Sequence, residues 1–321
     1  MQFNVVNWPQ RRDVTDYQQA IERMQLRIEK LDGVVAIYQI GGLSAPGVSD
    51  IDMVVVWDDG AATDFQPLDG ADRYLFTHTL FAVTETSFRE SQPFNLFHNY
   101  KLLFGKEFSV PIETTDSDRA LVKRQIALEY LVRMLVNNMV ANHHRLLDVR
   151  SLLLQANAIR YDLDFLSVTS GSLFDSVSTI IDWRQSWVAA NELPSSKEFV
   201  QWYREFDHGL ECLVEQESKE FPIHLPDKPS FRMGRNIDIE RAEHVARKAT
   251  GLKVPGALVQ HNRFAKRLNN RLAKFRLDLP WDSDRIPETV LRMFKLNQRM
   301  KAETTAKMPA FFPLTSSLHL S

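Results

Sequence analysis

The stretch "GGLSAPGVSDIDMVVV", residues 41–56, decides how this chain is read. Two aspartates, Asp50 and Asp52, lead straight into a run of strand-forming apolar residues. A carboxylate at the edge of a buried strand is costly to desolvate unless a cation, a donor or water compensates it. Side chains alternate along a strand, so Asp50 and Asp52 share one face while Ile51 and Met53 take the other. Their α-carbons are then about 6.6–7 Å apart, which lets both carboxylates reach one magnesium ion at about 2.0–2.1 Å. Ahead of them, Gly41 and Gly42 offer bare backbone N–H groups beside the same strand edge, where a phosphate can approach without meeting a Cβ.

Upstream, Tyr17, Ile21, Met24, Ile28 and Leu31 recur at helical spacing and predict an amphipathic helix over 14–31, stopped at Asp32-Gly33. The β-branched and aromatic run 34–40 predicts a strand, and 51–57 a second one. Residues 58–72, with five aspartates, two glycines and a proline, predict a loop. The segment 73–88 reads as a long strand and 94–105 as a helix closed by Gly105. That order gives an α/β unit over residues 1–115, a mixed sheet flanked by helices.

A strand, a Gly-Gly turn and a second strand opening Ser-Asp-Ile-Asp resembles the signature of the DNA polymerase beta-like nucleotidyltransferase superfamily. The matching residues are Ile40-Gly41-Gly42, the loop Leu43 to Ser49, and Asp50-Ile51-Asp52-Met53. "KLLFGKEF" (101–108) is similar to the segment that closes the catalytic domain in many minimal members, so the resemblance covers about residues 30–110. It implies magnesium-dependent transfer of a nucleoside monophosphate from an NTP to an acceptor, with pyrophosphate leaving. Two Mg²⁺ ions held by the carboxylates would activate the attacking hydroxyl and stabilise the leaving oxygens. On that resemblance Asp50 and Asp52 are metal ligands and catalytic residues, and Gly41, Gly42, Ser44 and Ser49 line the triphosphate site. The family carries a third acid on a nearby strand. Glu85 in "FAVTETSF" is the choice for it, with His78 in "YLFTHTLF" as the rival occupant and a poorer magnesium ligand. A second expectation keeps the fold without the chemistry: a catalytically degenerate nucleotide- or RNA-binding regulatory module.

From 116 onward apolar residues recur at helical spacing, and a larger all-α domain is expected over 116–321. Its predicted helices cover 119–149, 152–166, 174–190, 196–217, 238–250, 255–275 and 287–303. Trp183, Trp187, Phe199, Trp202, Tyr203 and Phe206 are read as core packing ahead of base stacking. His144 and Asp148, four apart, are read as helix-surface groups ahead of metal ligands, and Asp238 with Glu240 as an N-cap and first turn.

The formal net charge of −2 hides a split: from Lys228 to the end the chain carries 19 basic against 8 acidic residues, while the rest holds 20 against 33. The basic third slightly favours a polyanionic acceptor such as RNA, with Arg263, Arg267, Arg271 and Lys274 expected along one helix face. A protein side chain or a small hydroxylated molecule remains open as acceptor. The single cysteine, Cys212, excludes an intrachain disulfide, and no run of about 20 apolar residues occurs. The amino terminus lacks an apolar signal region, so a cytoplasmic protein is expected.

Overall fold

The computed structural model describes the chain apart from residues 1–2, 71, 96–98, 109–114, 253, 255–257, 259–263, 266–267, 269–271 and 316–321. In chain order the elements are β1 (Asn4–Val6), α1 (Val14–Ile28), β2 (Val34–Ile40), β3 (Asp52–Trp57), β4 (Phe81–Thr84), α2 (Glu85–Ser91) and β5 (Lys101–Gly105). There follow α3 (Asp116–His144), β6 (Leu146–Asp148), α4 (Val149–Phe165), α5 (Ser172–Ala190), α6 (Ser196–Glu220), β7 (Ile223–His224), β8 (Ser230–Gly234) and β9 (Ile237–Arg241). The last are β10 (Ala246–Gly251), β11 (Ala273–Leu279), β12 (Trp281–Asp282), α7 (Glu288–Lys307) and β13 (Phe312–Pro313). No described helix is long and apolar enough to cross a membrane. The chain divides into two compact units, one formed by Gln10–Val122 with Leu291–Ser317 and the other by Met1–Pro9, Lys123–Val290 and Leu318–Ser321.

The first unit is built on a five-stranded mixed sheet in the order β13-β4-β3-β2-β5. β2 and β3 form an antiparallel pair running from Val34↔Trp57 to Ile40↔Asp52, so the Gly-Gly turn follows directly after the pair that contains Asp52. Their buried residues, Ala36, Ile37 and Tyr38 of β2 and Met53 to Trp57 of β3, are predominantly apolar, which is what an interior strand requires. α1 lays Tyr17, Ile21, Met24 and Ile28 on the core formed with Ile37, Met53, Val55 and Trp57. The helix expected over 14–31 thus forms over Val14–Ile28, and Asp13 caps it through a reciprocal box with Asp16.

Two readings in this unit are corrected. Only Phe81–Thr84 of the 73–88 segment is strand, because Thr84 accepts from the Ser87 N–H and starts α2. Residues 101–105 form strand β5 on the free edge of β2, where a helix was expected; a short apolar run such as "LLF" fits either period. Gly105 therefore ends a strand. At φ +82° any added Cβ would lie 2.1 Å from the Val35 carbonyl oxygen, so only glycine fits that turn.

The second unit packs α5 and α6 through the aromatic cluster anticipated from sequence. Phe199, Trp202, Tyr203 and Phe206 are buried, and Trp183 stacks on Phe199. Ser195 caps α6 with Glu198 completing the box. This unit is not all-α, which corrects the expectation for residues 116–321. Residues 238–241 belong to β9 and 246–250 to β10, and with β8 and β11 these strands form a four-stranded sheet in the order β10-β11-β9-β8. Alternation decides the outcome: Phe275, Leu277 and Leu279 are buried while Lys274 and Arg276 are exposed, the period of a one-sided sheet. Asp238 and Glu240 consequently sit on a strand in ion pairs with Arg232 and Arg276, and do not cap a helix. Lys274 lies on β11, outside any helix face; Arg263, Arg267 and Arg271 fall outside the described residues, as does most of the helix expected over 255–275. His144 and Asp148 are likewise not on one helix, since Asp148 ends β6 and caps α4 by accepting from Ser151 N–H at 2.8 Å. The rings of His143 and His144 pack edge-on against Phe275.

Candidate metal centre

The loop between Gly42 and Asp50 is fastened from below by two tyrosines. The Tyr17 hydroxyl donates to the Ser49 carbonyl at 2.7 Å and accepts from the Gly47 N–H at 2.9 Å, while Tyr74 donates to the Gly47 carbonyl at 2.6 Å. Both hydroxyls are anchored by the core that holds their rings, so a loop rich in small residues acquires a fixed course. Ser49 is buried, and its hydroxyl accepts from the Ala45 N–H at 3.2 Å, which closes the loop on itself. Ser44 is exposed on the same loop.

The Ile51 N–H donates to the Leu75 carbonyl at 2.8 Å, tying the two aspartates to the segment that carries Thr77 and His78. The parallel register of β3 with β4, Val54↔Phe81 through Trp57↔Thr84, then sets these residues beside Asp50 and Asp52. The same register answers the question of the third acid. Glu85 follows Thr84, which pairs with Trp57 at the far end of β3, about 17 Å along the strand from Asp52. There Glu85 opens α2 and pairs with Arg89 at 2.9 Å and Lys106 at 3.1 Å, which hold its carboxyl below the usual range. The group that meets the two aspartates is His78: ligand atoms of Asp50, Asp52 and His78 all lie within 4.8 Å of one another.

Each donor is held in place. The Thr77 hydroxyl donates to Asp50 Oδ2. His78 Nδ1 lies 2.7 Å from the Thr79 carbonyl, and a carbonyl only accepts, so this nitrogen carries a proton. Nε2 is thereby turned to Asp52 Oδ1 at 2.9 Å, a close ion-pair contact. Asp52 Oδ1 is itself buried and receives no aligned hydrogen bond, the kind of orphaned acceptor that a cation satisfies. The imidazole is gripped between Phe81, edge-on at 4.9 Å, and Phe312, stacked at 5.7 Å. Behind it, Thr79 donates to the Ala310 carbonyl at 2.7 Å, so the segment after α7 braces the residues around His78.

The electrostatics show strain between like charges. Burial, followed by the neighbouring Asp52 charge, raises the Asp50 pKa, and the Thr77 hydroxyl and His78 only partly offset this. Burial alone would lower the His78 pKa, but the Asp52 carboxylate it faces, the Thr79 carbonyl and Asp50 together raise it. The two carboxylates thus favour the protonated form of His78 against the effect of burial.

Gly41 lies against this group: at φ +73° it leads the chain away from β2, and a Cβ there would come within 3.8 Å of Asp52 Oδ2. Gly42 has open space where a Cβ would stand. Next to Thr77, a concavity of about 420 Å³ is lined by Gln66, Arg73, Phe76, Thr79 and Ala310 among others. Arg73 is exposed and has no ion-pair partner among the described residues. Sequence reasoning passed over Arg73 and Thr77 because neither belongs to a motif. The only signal was nearness to His78.

No protein-family model matches this chain, and no curated protein matches it.

Proposed function

We propose that Asp50, Asp52 and His78 hold a divalent metal and that the surrounding cleft performs nucleotidyl transfer from an NTP to a hydroxyl acceptor. The observation that carries the reading is the convergence of three fixed ligand side chains beside a Gly-Gly turn. His78 fits a ligand's role because its Nδ1–H is spent on a carbonyl, the usual outer partner of a metal-bound imidazole, which leaves Nε2 to coordinate. Two carboxylates with one imidazole suit Mn²⁺ or Zn²⁺ better than Mg²⁺, which prefers oxygen donors throughout.

When bound, the metal supplies Lewis-acid charge for the phosphates and lowers the pKa of a coordinated hydroxyl. The chain's own residues do the rest. Gly41 and Gly42 leave room for a triphosphate to approach the backbone N–H groups, and Arg73 contributes positive charge at the adjoining concavity. Thr77 fixes the rotamer of Asp50, and Phe81 with Phe312 fixes the ring of His78. Catalysis on this plan rests on positioning and charge.

One observation favours a binding module as the second reading. The cluster offers two carboxylates and not three, a donor set for one metal ion, with Glu85 committed at the other end of β3. The discriminating experiment is pyrophosphate release from each NTP with Mn²⁺, Mg²⁺ or EDTA, run alongside NTP binding. Transfer predicts metal-dependent release from one preferred NTP and, for Arg73→Ala, a KM raised about tenfold with kcat nearly kept, the loss of one charge-assisted contact worth about 1.4 kcal/mol. Metal-dependent binding with no release, even with RNA, protein and small hydroxylated acceptors supplied, identifies the module. No binding of any NTP by folded protein overturns both.

A further inference from the structure

We propose that the hairpin end of the β10-β11-β9-β8 sheet is a binding site for the phosphodiester backbone of a single-stranded nucleic acid, independent of the metal centre. The site is a groove of about 690 Å³ lined by Arg232, Met233, Gly234, Arg235, Asn236, Asp238 and Lys274. It is built where a two-residue turn, Arg235-Asn236, joins β8 to β9 and where β11 runs alongside.

The charges on the exposed face of this sheet follow a pattern. Along its middle, acids and bases neutralise one another: Arg276 pairs with Glu240 and Asp278, and Lys248 pairs with Asp278. At the hairpin end the balance fails. Arg232 shares Asp238 at 3.3 Å, an exposed pair of little strength in water, and Arg235 and Lys274 have no ion-pair partner among the described residues. Three cations thus meet one carboxylate in a concave setting, where converging field lines concentrate an anion.

Their placement points to a chain of phosphates and not to one. Arg232 stands on β8 and Lys274 on β11, with β9 between them, so two inter-strand spacings or about 10 Å separate their backbones. Arg235, in the turn between β8 and β9, lines the same groove. Asn236 holds the turn to β11 by donating to the Ala273 carbonyl at 3.0 Å, so Arg232 and Lys274 stand on paired strands and Arg235 on a turn tied to β11. Met233 and Gly234 give the groove an apolar, low-relief wall against which an unstacked base can lie without a desolvation penalty. A duplex is stiff over this length and follows such a groove less closely than a single strand does.

The test is fluorescence anisotropy of labelled oligo(U), oligo(dT) and a duplex, each of about 12 nucleotides, with the full chain in EDTA over about 50–200 mM salt. The expected result is binding of both single strands, weaker for the duplex, with affinity falling steeply as salt rises. Arg235→Ala/Lys274→Ala should weaken binding about tenfold or more and reduce the salt slope by about 1.4, two single-strand phosphate contacts. The charge-preserving Arg235→Lys/Lys274→Arg should restore most of it. A preference for oligo(U) over oligo(dT) names RNA as the source of the phosphodiester, and equal binding names the backbone alone. Asp50→Ala/Asp52→Ala should bind as tightly as wild type, so this result separates the groove from the metal centre. Absence of binding to every probe, an unchanged affinity in Arg235→Ala/Lys274→Ala, or tighter binding of the duplex overturns the proposal.

Discussion

Asp50→Asn in the metal-free protein should melt higher than wild type, and the order should reverse when Mn²⁺ is added. The Asp50 carboxylate is raised in pKa by burial and by Asp52. A group whose folded pKa lies above its unfolded one loses stability as pH rises from about 3.9 through the folded value, so above that value the fold carries the whole cost. Asparagine keeps an oxygen that can accept from Thr77 and removes the charge, so a gain of a few degrees is expected, at about 2–4 °C per kcal/mol for a unit of this size. With Mn²⁺ at about 100 times its dissociation constant, wild type should gain about 2.7 kcal/mol, which the variant forfeits. Thermal unfolding with EDTA and with Mn²⁺ reads both halves. If Asp50→Asn melts lower than wild type in EDTA, the two carboxylates are not in conflict and the argument for a missing cation fails. Such a crossing is the behaviour of a site that spends stability on function.

Arg247→Ala should destabilise the second unit by about 3–5 kcal/mol, the range for breaking a buried ion pair from one side. Arg247, on β10, donates to Asp207 at 2.6 Å and to Glu211 at 2.6 Å, and with a side chain only 17% exposed it holds the sheet against α6. Burial opposes its charge, yet the two carboxylates raise its pKa. Its removal leaves Asp207, 12% exposed, with the Asn142 amide at 2.8 Å as its remaining side-chain donor among the described residues. Urea unfolding should move to lower midpoint with an unchanged slope. Asp207→Asn introduced into Arg247→Ala should recover part of the loss, because the uncompensated charge is the larger share of the damage. A loss below about 1 kcal/mol in Arg247→Ala would class the pair with surface ion pairs.

The hairpin at the centre of the first unit was readable because every local signal agreed. Val34–Ile40 and Asp52–Trp57 are rich in β-branched residues and buried at their centres, the turn between them is glycine-led, and the helix before them has a clean apolar stripe. Glu85 was misjudged for a definite reason. "FAVTETSF" has strand composition throughout, but Thr84 has both the position and the hydroxyl to cap a helix, so the strand stops one residue before the acid. His78 was visible only as a rival because its claim depends on the register of β4 against β3, a long-range fact that no local pattern contains. The sheet of the second unit was missed although "AKFRLDL" alternates strictly at 273–279. Lys274 also continues the helical spacing of Arg263, Arg267 and Arg271, and that longer series competes with the period of two.

The most direct test of the account is a calorimetric titration of Mn²⁺ into the wild-type chain and into Asp50→Ala/Asp52→Ala, repeated at about pH 6 and pH 8. His78 and Asp50 both have raised pKa values, and a ligand must shed its proton to coordinate, so affinity should tighten as pH rises above about 6.5. The account predicts one site in wild type, tighter at the higher pH, and no binding in the double variant. Binding that survives in Asp50→Ala/Asp52→Ala, or its absence from the wild-type chain, would contradict a metal centre at the end of β3.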